Sequence, residues 1–194
     1  MGDAELTLAA MEWTVHGWRT IYESEWAGMR QADVELPDGQ RLWHHVVHYP
    51  RPAAAAVVVD NDRGVLMLWR HRFITDTWGW EIPAGRVDDD ETPIDAAARE
   101  TEEETGWRPG RLQPLTRYHP SNGSSDQTFH VFWGEGADHV GDPTDPNEAE
   151  RVEWVSVVRA ARLMAEGAVT DGFSLTALAV AMVQGVLPPN TGAG

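Results

Sequence analysis

Glu100, Glu103 and Glu104 stand at i, i+3 and i+4, a spacing that a helix turns into one acidic face about 6 Å long. Like charges so placed repel by about 3 kcal/mol per pair at an effective dielectric near 20. Two readings of such a face stand open. One is a solvated acidic patch on a helix exterior. The other is a set of hard oxygen ligands whose repulsion a divalent cation such as Mg²⁺ removes. Ala97, Ala98 and Thr101 are small enough to pack another side of the same helix against a sheet.

The elements that must hold these carboxylates have signals of their own. Thr92-Pro93 opens the helix, with threonine at the cap and proline in the first turn. Asp95, three residues after Thr92, is a weak variant of the capping box. Gly106 is placed to end the helix, and Pro109 bars its continuation. Before it, Trp80-Glu81-Ile82-Pro83-Ala84-Gly85 is too rich in proline and glycine to be helical. Ala53–Val59 and Val65–Trp69 read as strands joined at Asp60–Gly64. Leu112–Tyr118, Phe129–Trp133 and Val152–Val155 read as further strands, and Val157–Glu166 and Phe173–Gln184 as helices. Residues 11–49 alternate as strands around a hairpin at Asp38-Gly39. Arg51-Pro52 punctuates the chain, so the domains are expected at 1–50 and 51–187, with a loose tail over 188–194.

Composition narrows the function. The chain has 194 residues, 42% of them hydrophobic and 24% charged, as in a globular protein. The formal net charge of −16 argues against nucleic acid or an anionic membrane as partner. A small phosphorylated substrate is still compatible, because a bound cation reverses the local field. There is no cysteine, which excludes thiolate chemistry and zinc-thiolate sites. No apolar run reaches the length of a membrane span, and Met1–Ala10 lack the pattern of a secretory signal. A cytoplasmic location is the default expectation. Ten tryptophans are many for this length, and packing is the plain reading of any one of them.

Gly85, five residues, Glu91, seven residues, then Arg99-Glu100-Thr101-Glu102-Glu103-Glu104-Thr105-Gly106-Trp107 resembles the Nudix box in every charged and glycine slot. Thr101 departs from it, being polar where an aliphatic residue is usual. The resemblance implies the α/β Nudix fold, an α/β/α sandwich on a mixed sheet, here with a small N-terminal antiparallel β-domain. It further implies Mg²⁺, or Mn²⁺, held by Glu100, Glu103, Glu104 and the carbonyl of Ala84. Glu103 and Glu104 then serve catalysis as well as metal binding. Gly85, Glu91, Arg99 and Gly106 take structural roles, Arg99 and Glu91 as an ion pair between helix and loop.

The likeness runs over roughly residues 20 to 185. Glu81-Ile82-Pro83-Ala84-Gly85 and Trp69-Arg70-His71-Arg72 resemble segments of the ADP-ribose (ADP-sugar) pyrophosphatases, as does Gly167–Gly172 before the last helix. By that resemblance Arg72 contacts the substrate diphosphate; a salt bridge at the site's rim is the other reading. Trp26 and Trp43, with Trp18 a weaker candidate, resemble an adenine clamp on an N-terminal domain exchanged within a homodimer; core packing is the alternative for both. Stacking on a base needs only a flat π-face. Asn147-Glu148 resembles the loop that supplies the general base, which makes Glu148 the first choice and Glu150 the second. Asn122 in Ser121-Asn122-Gly123 stands where ADP-ribose-specific members have proline, so other nucleotide conjugates or nucleoside triphosphates stay open as substrates. His44 and His48 lack a ligand set and read as structural. A non-catalytic ADP-ribose sensor is the competing class; such domains lose box glutamates, and here all are present.

Overall fold

The computed structural model describes residues 11–144 and 148–187. Asn147 and the expected tail over 188–194 lie outside the described residues. Two compact units are present: the chain up to Pro50 together with Ser121–Gln127, and Arg51–Pro120 together with Thr128 onward.

In the first unit β1 (Thr14–Glu23), β2 (Gly28–Glu35) and β3 (Arg41–His48) form an antiparallel sheet in that order. The Asp38-Gly39 turn closes the β2–β3 hairpin, with the Leu36 N–H donating to the Gln40 carbonyl at 2.8 Å. Segment 121–127 is tied to β3: the Val47 N–H donates to the Ser124 carbonyl at 2.8 Å, and His48 Nδ1 meets Asp126 Oδ2 at 2.5 Å. His44 Nε2 lies 3.0 Å from the Gly123 carbonyl. Both histidines are thus engaged in joining loop to sheet.

The second unit is built on a seven-stranded mixed sheet. β4 (Ala53–Asp60) lies at its centre beside β5 (Gly64–Arg72) and β10 (Phe129–Glu135), with β9 (Gln113–Tyr118) and β12 (Arg151–Val155) outside them. β4 and β10 run parallel and the remaining pairs antiparallel. β4 and β5 pair at Val59–Val65 and Asp60–Gly64 and then part. β6 (Thr77–Glu81) continues on β5 and β7 (Ala84–Arg86) on β4, so segment 77–86 lines a fork in the sheet. The break at Ile82-Pro83 falls where proline has no N–H for a ladder.

Helix α1 (Pro93–Thr105) covers one face of this sheet, while α2 (Val157–Ala165) and α3 (Gly172–Val183) belong to the other. Strand alternation builds the two cores. Ala54, Ala56, Val58 and Leu66 meet Ala96 and Ala97 of α1 in one core. Ala55, Val57, Val65 and Met67 join Ala160, Phe173 and Leu178 in the other. A central strand buried on both faces reads as an unbroken apolar run, as Ala53–Val59 does. The second unit is therefore an α/β/α sandwich. Among the described residues no helix is long and apolar enough to cross a membrane.

The capping signals of α1 act as their chemistry requires. Thr92 Oγ1 accepts from the Asp95 N–H at 3.4 Å, and Gly106 ends the helix at φ 72°, where a side chain is disfavoured. Thr101, the polar exception, is fully buried and donates its hydroxyl to the Ala97 carbonyl at 2.7 Å. That bond removes the cost of an unpaired hydroxyl in the core. β8 (Trp107–Pro109) and β11 (Ala137–His139) form a small separate ladder. Three-residue strands carry no alternation, and the sequence does not announce them.

Candidate active site

The site forms where α1 faces the fork. Glu100 packs against the backbone at Gly85, where an added Cβ would fall 2.1 Å from its carboxylate. Only glycine leaves room for that approach. One turn on, Glu104 is 3% exposed. Its Oε1 accepts from Arg70 Nη1 at 2.7 Å and its Oε2 from the Ala84 N–H at 2.9 Å. Burial pushes the Glu104 carboxyl up to about 8, against the pull of Arg70 and of the Ala84 N–H. Burial also raises Glu100, with Arg99 opposing it.

Arg99 is the clasp on the outer side. Its Nε and Nη2 donate to Glu91 at 3.2 and 2.6 Å, and Nη1 donates to Glu100 and Glu103 at 2.9 Å each. Nη2 also reaches the Arg86 carbonyl at 3.1 Å. The bond to Arg99 holds Glu91 below the usual carboxylate range. Helix and preceding loop are joined here by the Arg99–Glu91 ion pair.

A second basic cluster comes from β5. Arg70 and Arg72 share a strand face, opposite Gly79 and Thr77 of β6. Arg72 is bound through Nε and Nη2 to both oxygens of buried Glu81, at 2.9 and 2.6 Å. Glu81 raises the affinity of that guanidinium for its proton. Arg70, itself buried, also has Glu148 at 3.5 Å and Glu81 at 4.0 Å. Arg70, Arg72, His71, Phe73, Ile74 and Glu148 line a cleft of about 250 Å³. Glu150 is attached differently, its N–H donating to the Trp69 carbonyl at 2.9 Å.

Glu148, Glu104, Glu100, Glu103, Arg72, Ala84 and Gly85 thus gather in the second unit, Glu103 turned outward and half-exposed. Trp26, Trp43 and Trp18 belong to the first. Trp26 is 64% and Trp43 50% exposed, Trp43 with Arg19 at 5.3 Å from its ring centre. Neither is packed into the core of its own unit. Sequence reasoning passed over Arg70 and Glu81 as site residues. The available signal was the strand period, which puts Arg70 on the same face as Arg72.

The donor set suits a hard divalent cation: carboxylates and a backbone carbonyl, with no sulfur or imidazole among them. Gly85 supplies a cradle that a Cβ would fill, and burial holds Glu104 from its charged form despite Arg70 beside it, a cost that a divalent cation would offset. Arginines hold the carboxylates here, so among the described residues no three acidic or histidine side chains converge on one point.

The NUDIX domain family model matches residues 49–173, and that of the nucleoside diphosphate sugar hydrolase N-terminal domain matches residues 13–47. A CMP-5'-(N-acetyl-N-hydroxy-3-aminopropyl)phosphonate hydrolase of Streptomyces rubellomurinus is 44% identical over 171 residues, spanning 88% of this chain and 82% of that protein. An ADP-ribose pyrophosphatase of Bacillus subtilis is 34% identical over 125 residues, 64% of this chain and 67% of that protein. Among solved structures, the crystal structure of an ADP compounds hydrolase aligns with a TM-score of 0.76 at 17% identity, over 90% of this chain and 95% of that one. At that identity the likeness speaks for the fold alone. The matched residues include the seven-stranded sheet, the fork and the whole acidic turn of α1, and the chain belongs to the Nudix family as a Nudix hydrolase.

Proposed function

We propose that this hydrolase splits the phosphoric anhydride of a nucleotide conjugate with the help of Mg²⁺ or Mn²⁺, ADP-ribose to AMP and ribose 5-phosphate being the expected reaction. The observation that carries the reading is Glu104, a buried carboxylate held between Arg70 and the Ala84 N–H beside a cleft lined by guanidinium groups. Glu100, Glu103, Glu104 and the Ala84 carbonyl would hold the metal. When bound, the cation lends positive charge to the diphosphate oxygens and acidifies water.

The chain's own groups do the remaining work. Arg72 has Nε and Nη2 engaged by Glu81, which leaves Nη1 to donate to a substrate phosphate. Arg70 adds a second positive charge on the same wall. Glu148, 3.5 Å from Arg70, takes the proton from the attacking water. Gly85, Glu91, Arg99 and Gly106 keep helix and loop in register for this.

A second substrate reading has its own support. The relative at 44% identity is named for a CMP-linked phosphonate, and Asn122 replaces the proline of ADP-ribose-specific members. Both substrates present a P–O–P link to the same groups, one between two phosphates and the other between a phosphate and a phosphonate.

A substrate panel tests the reading. Released monophosphate is scored with Mg²⁺ for ADP-ribose, ADP-sugars, CMP-linked phosphonates, diadenosine polyphosphates and nucleoside triphosphates. Highest kcat/KM on ADP-ribose upholds the first reading and highest on the CMP phosphonate the second. Turnover of triphosphates alone would overturn both.

The first unit is proposed as the dimerisation and base-clamp domain, with Trp26 and Trp43 stacking on the base. Its many exposed large apolar side chains, among them Trp13, Trp18, Ile21 and Tyr22, support a second copy as their cover. Sedimentation is expected to give twice the chain mass, and a monomer at micromolar concentration removes the dimer. Small phosphorylated molecules, and neither nucleic acid nor membrane, remain the expected partners.

A further inference from the structure

The strands that carry Arg70, Arg72 and Glu81 are joined by the turn at residues 73–76. Phe73 and Ile74 on that turn are 84% and 83% exposed. Single exposed apolar residues are ordinary on protein surfaces. Two large neighbours lining the same cleft as two guanidinium groups and Glu148 form a patch that calls for an occupant.

The turn is built to keep them there. Thr75 Oγ1 donates to the Arg72 carbonyl at 3.4 Å and lies 2.7 Å from the Thr77 hydroxyl. His71 Nε2 meets Asp76 Oδ1 at 3.1 Å. Asp76 has φ 53°, and it is the one non-glycine among the described residues in the positive-φ region. Surface polar bonds and a rarely adopted backbone conformation thus shape a turn that leaves its two apolar side chains in water. An element ordered before binding loses little freedom when a ligand arrives.

Resting on the anhydride hydrolysis proposed above, and siding with its second substrate reading against ADP-ribose, we infer that Phe73 and Ile74 wall a subsite for the non-nucleotide half of the substrate. That subsite favours conjugates whose leaving group carries an alkyl, acyl or aryl portion over bare phosphosugars. Arg72, Phe73 and Ile74 line the same cleft, so a phosphate bound at the guanidinium brings what it bears beside the turn. A sugar would ask for carboxylate or amide partners to its hydroxyls. Among the described residues that line this cleft Glu148 is the one carboxylate and no amide side chain is present, and Glu148 has proton work. An apolar chain asks only for water to be excluded, which Phe73 and Ile74 provide.

Two substrates with the same nucleotide isolate the effect: ADP-ribose, and the n-hexyl ester of ADP. With the full chain and Mg²⁺, the hexyl ester is expected to have a KM about fivefold below that of ADP-ribose. In the double variant Phe73→Ala/Ile74→Ser the ratio of the two KM values falls to about one, through a rise in KM for the hexyl ester. An equal rise for both substrates overturns the inference, because the turn would then read the shared nucleotide. An unchanged ratio overturns it too, as does a variant that sediments at lower mass than the wild type, which would make the turn a protein contact. If the wild type splits both esters without preference, the subsite alone falls. If it splits neither these nor any other conjugate, the proposed function falls and takes the subsite with it.

Discussion

Arg99 and Arg70 both fasten the acidic turn of α1, one from the loop side and one from the sheet side. Arg99 has a side chain 31% exposed and satisfies Glu91, Glu100, Glu103 and a carbonyl. Arg70 is 7% exposed and has one close partner, Glu104. A count of bonds would rank Arg99 far above Arg70. Burial reverses that ranking. Water competes for each partly exposed bond around Arg99, and measured worth there is small. Around Arg70 there is little water to replace what is lost, so removing either member leaves the other buried without its partner. The clasp at Arg99 therefore sets geometry, whereas the contact at Arg70 is where charge is stored against a need. Divalent metal and diphosphate are the charges for which the proposed reaction would use it.

Mutations can break or sharpen this contrast. The largest effect is expected from Glu104→Gln, which keeps the shape of the buried contact and removes its charge. It should lower kcat roughly 10²–10³-fold, with circular dichroism and folding intact; normal kcat would remove Glu104 from the catalytic set. Arg70→Met and Arg99→Lys then weigh the two surroundings directly. The first leaves Glu104 buried without its cation and should cost about 3 kcal/mol of stability in urea unfolding. Protonation of Glu104, already pushed up to about 8 by burial, keeps the loss at that level. The second retains the charge but loses the planar fork, and about 1 kcal/mol is expected. Equal losses for the pair would show that burial does not separate them.

The two ends of the acidic turn also differ in how readily they could be read from the chain. Thr92, Pro93 and Gly106 mark the helix because caps act within a few residues. The i, i+3, i+4 face follows from helical pitch alone, and the Gly85–Glu91–Arg99 spacing carried the family with it. The unbroken apolar runs at Ala53–Val59 and Val65–Trp69 marked strands but not their faces, which the two cores decide. Thr101 stands out as polar where an aliphatic residue is usual, and its hydroxyl finds the Ala97 carbonyl one turn back. β8 and β11 stayed hidden because a three-residue ladder has no period.

What the sequence by itself determined is therefore short in range: the acidic face, its caps, the strand positions, and a donor set made of hard oxygen. The tertiary structure alone decided that Arg70 meets Glu104, 34 positions away, and that Glu81 takes Arg72. It also decided that the fork between β4 and β5 receives segment 77–86. These contacts depend on strand register and on the seating of a helix against a sheet. Both are set by the burial of many side chains together, and no local run of residues encodes them.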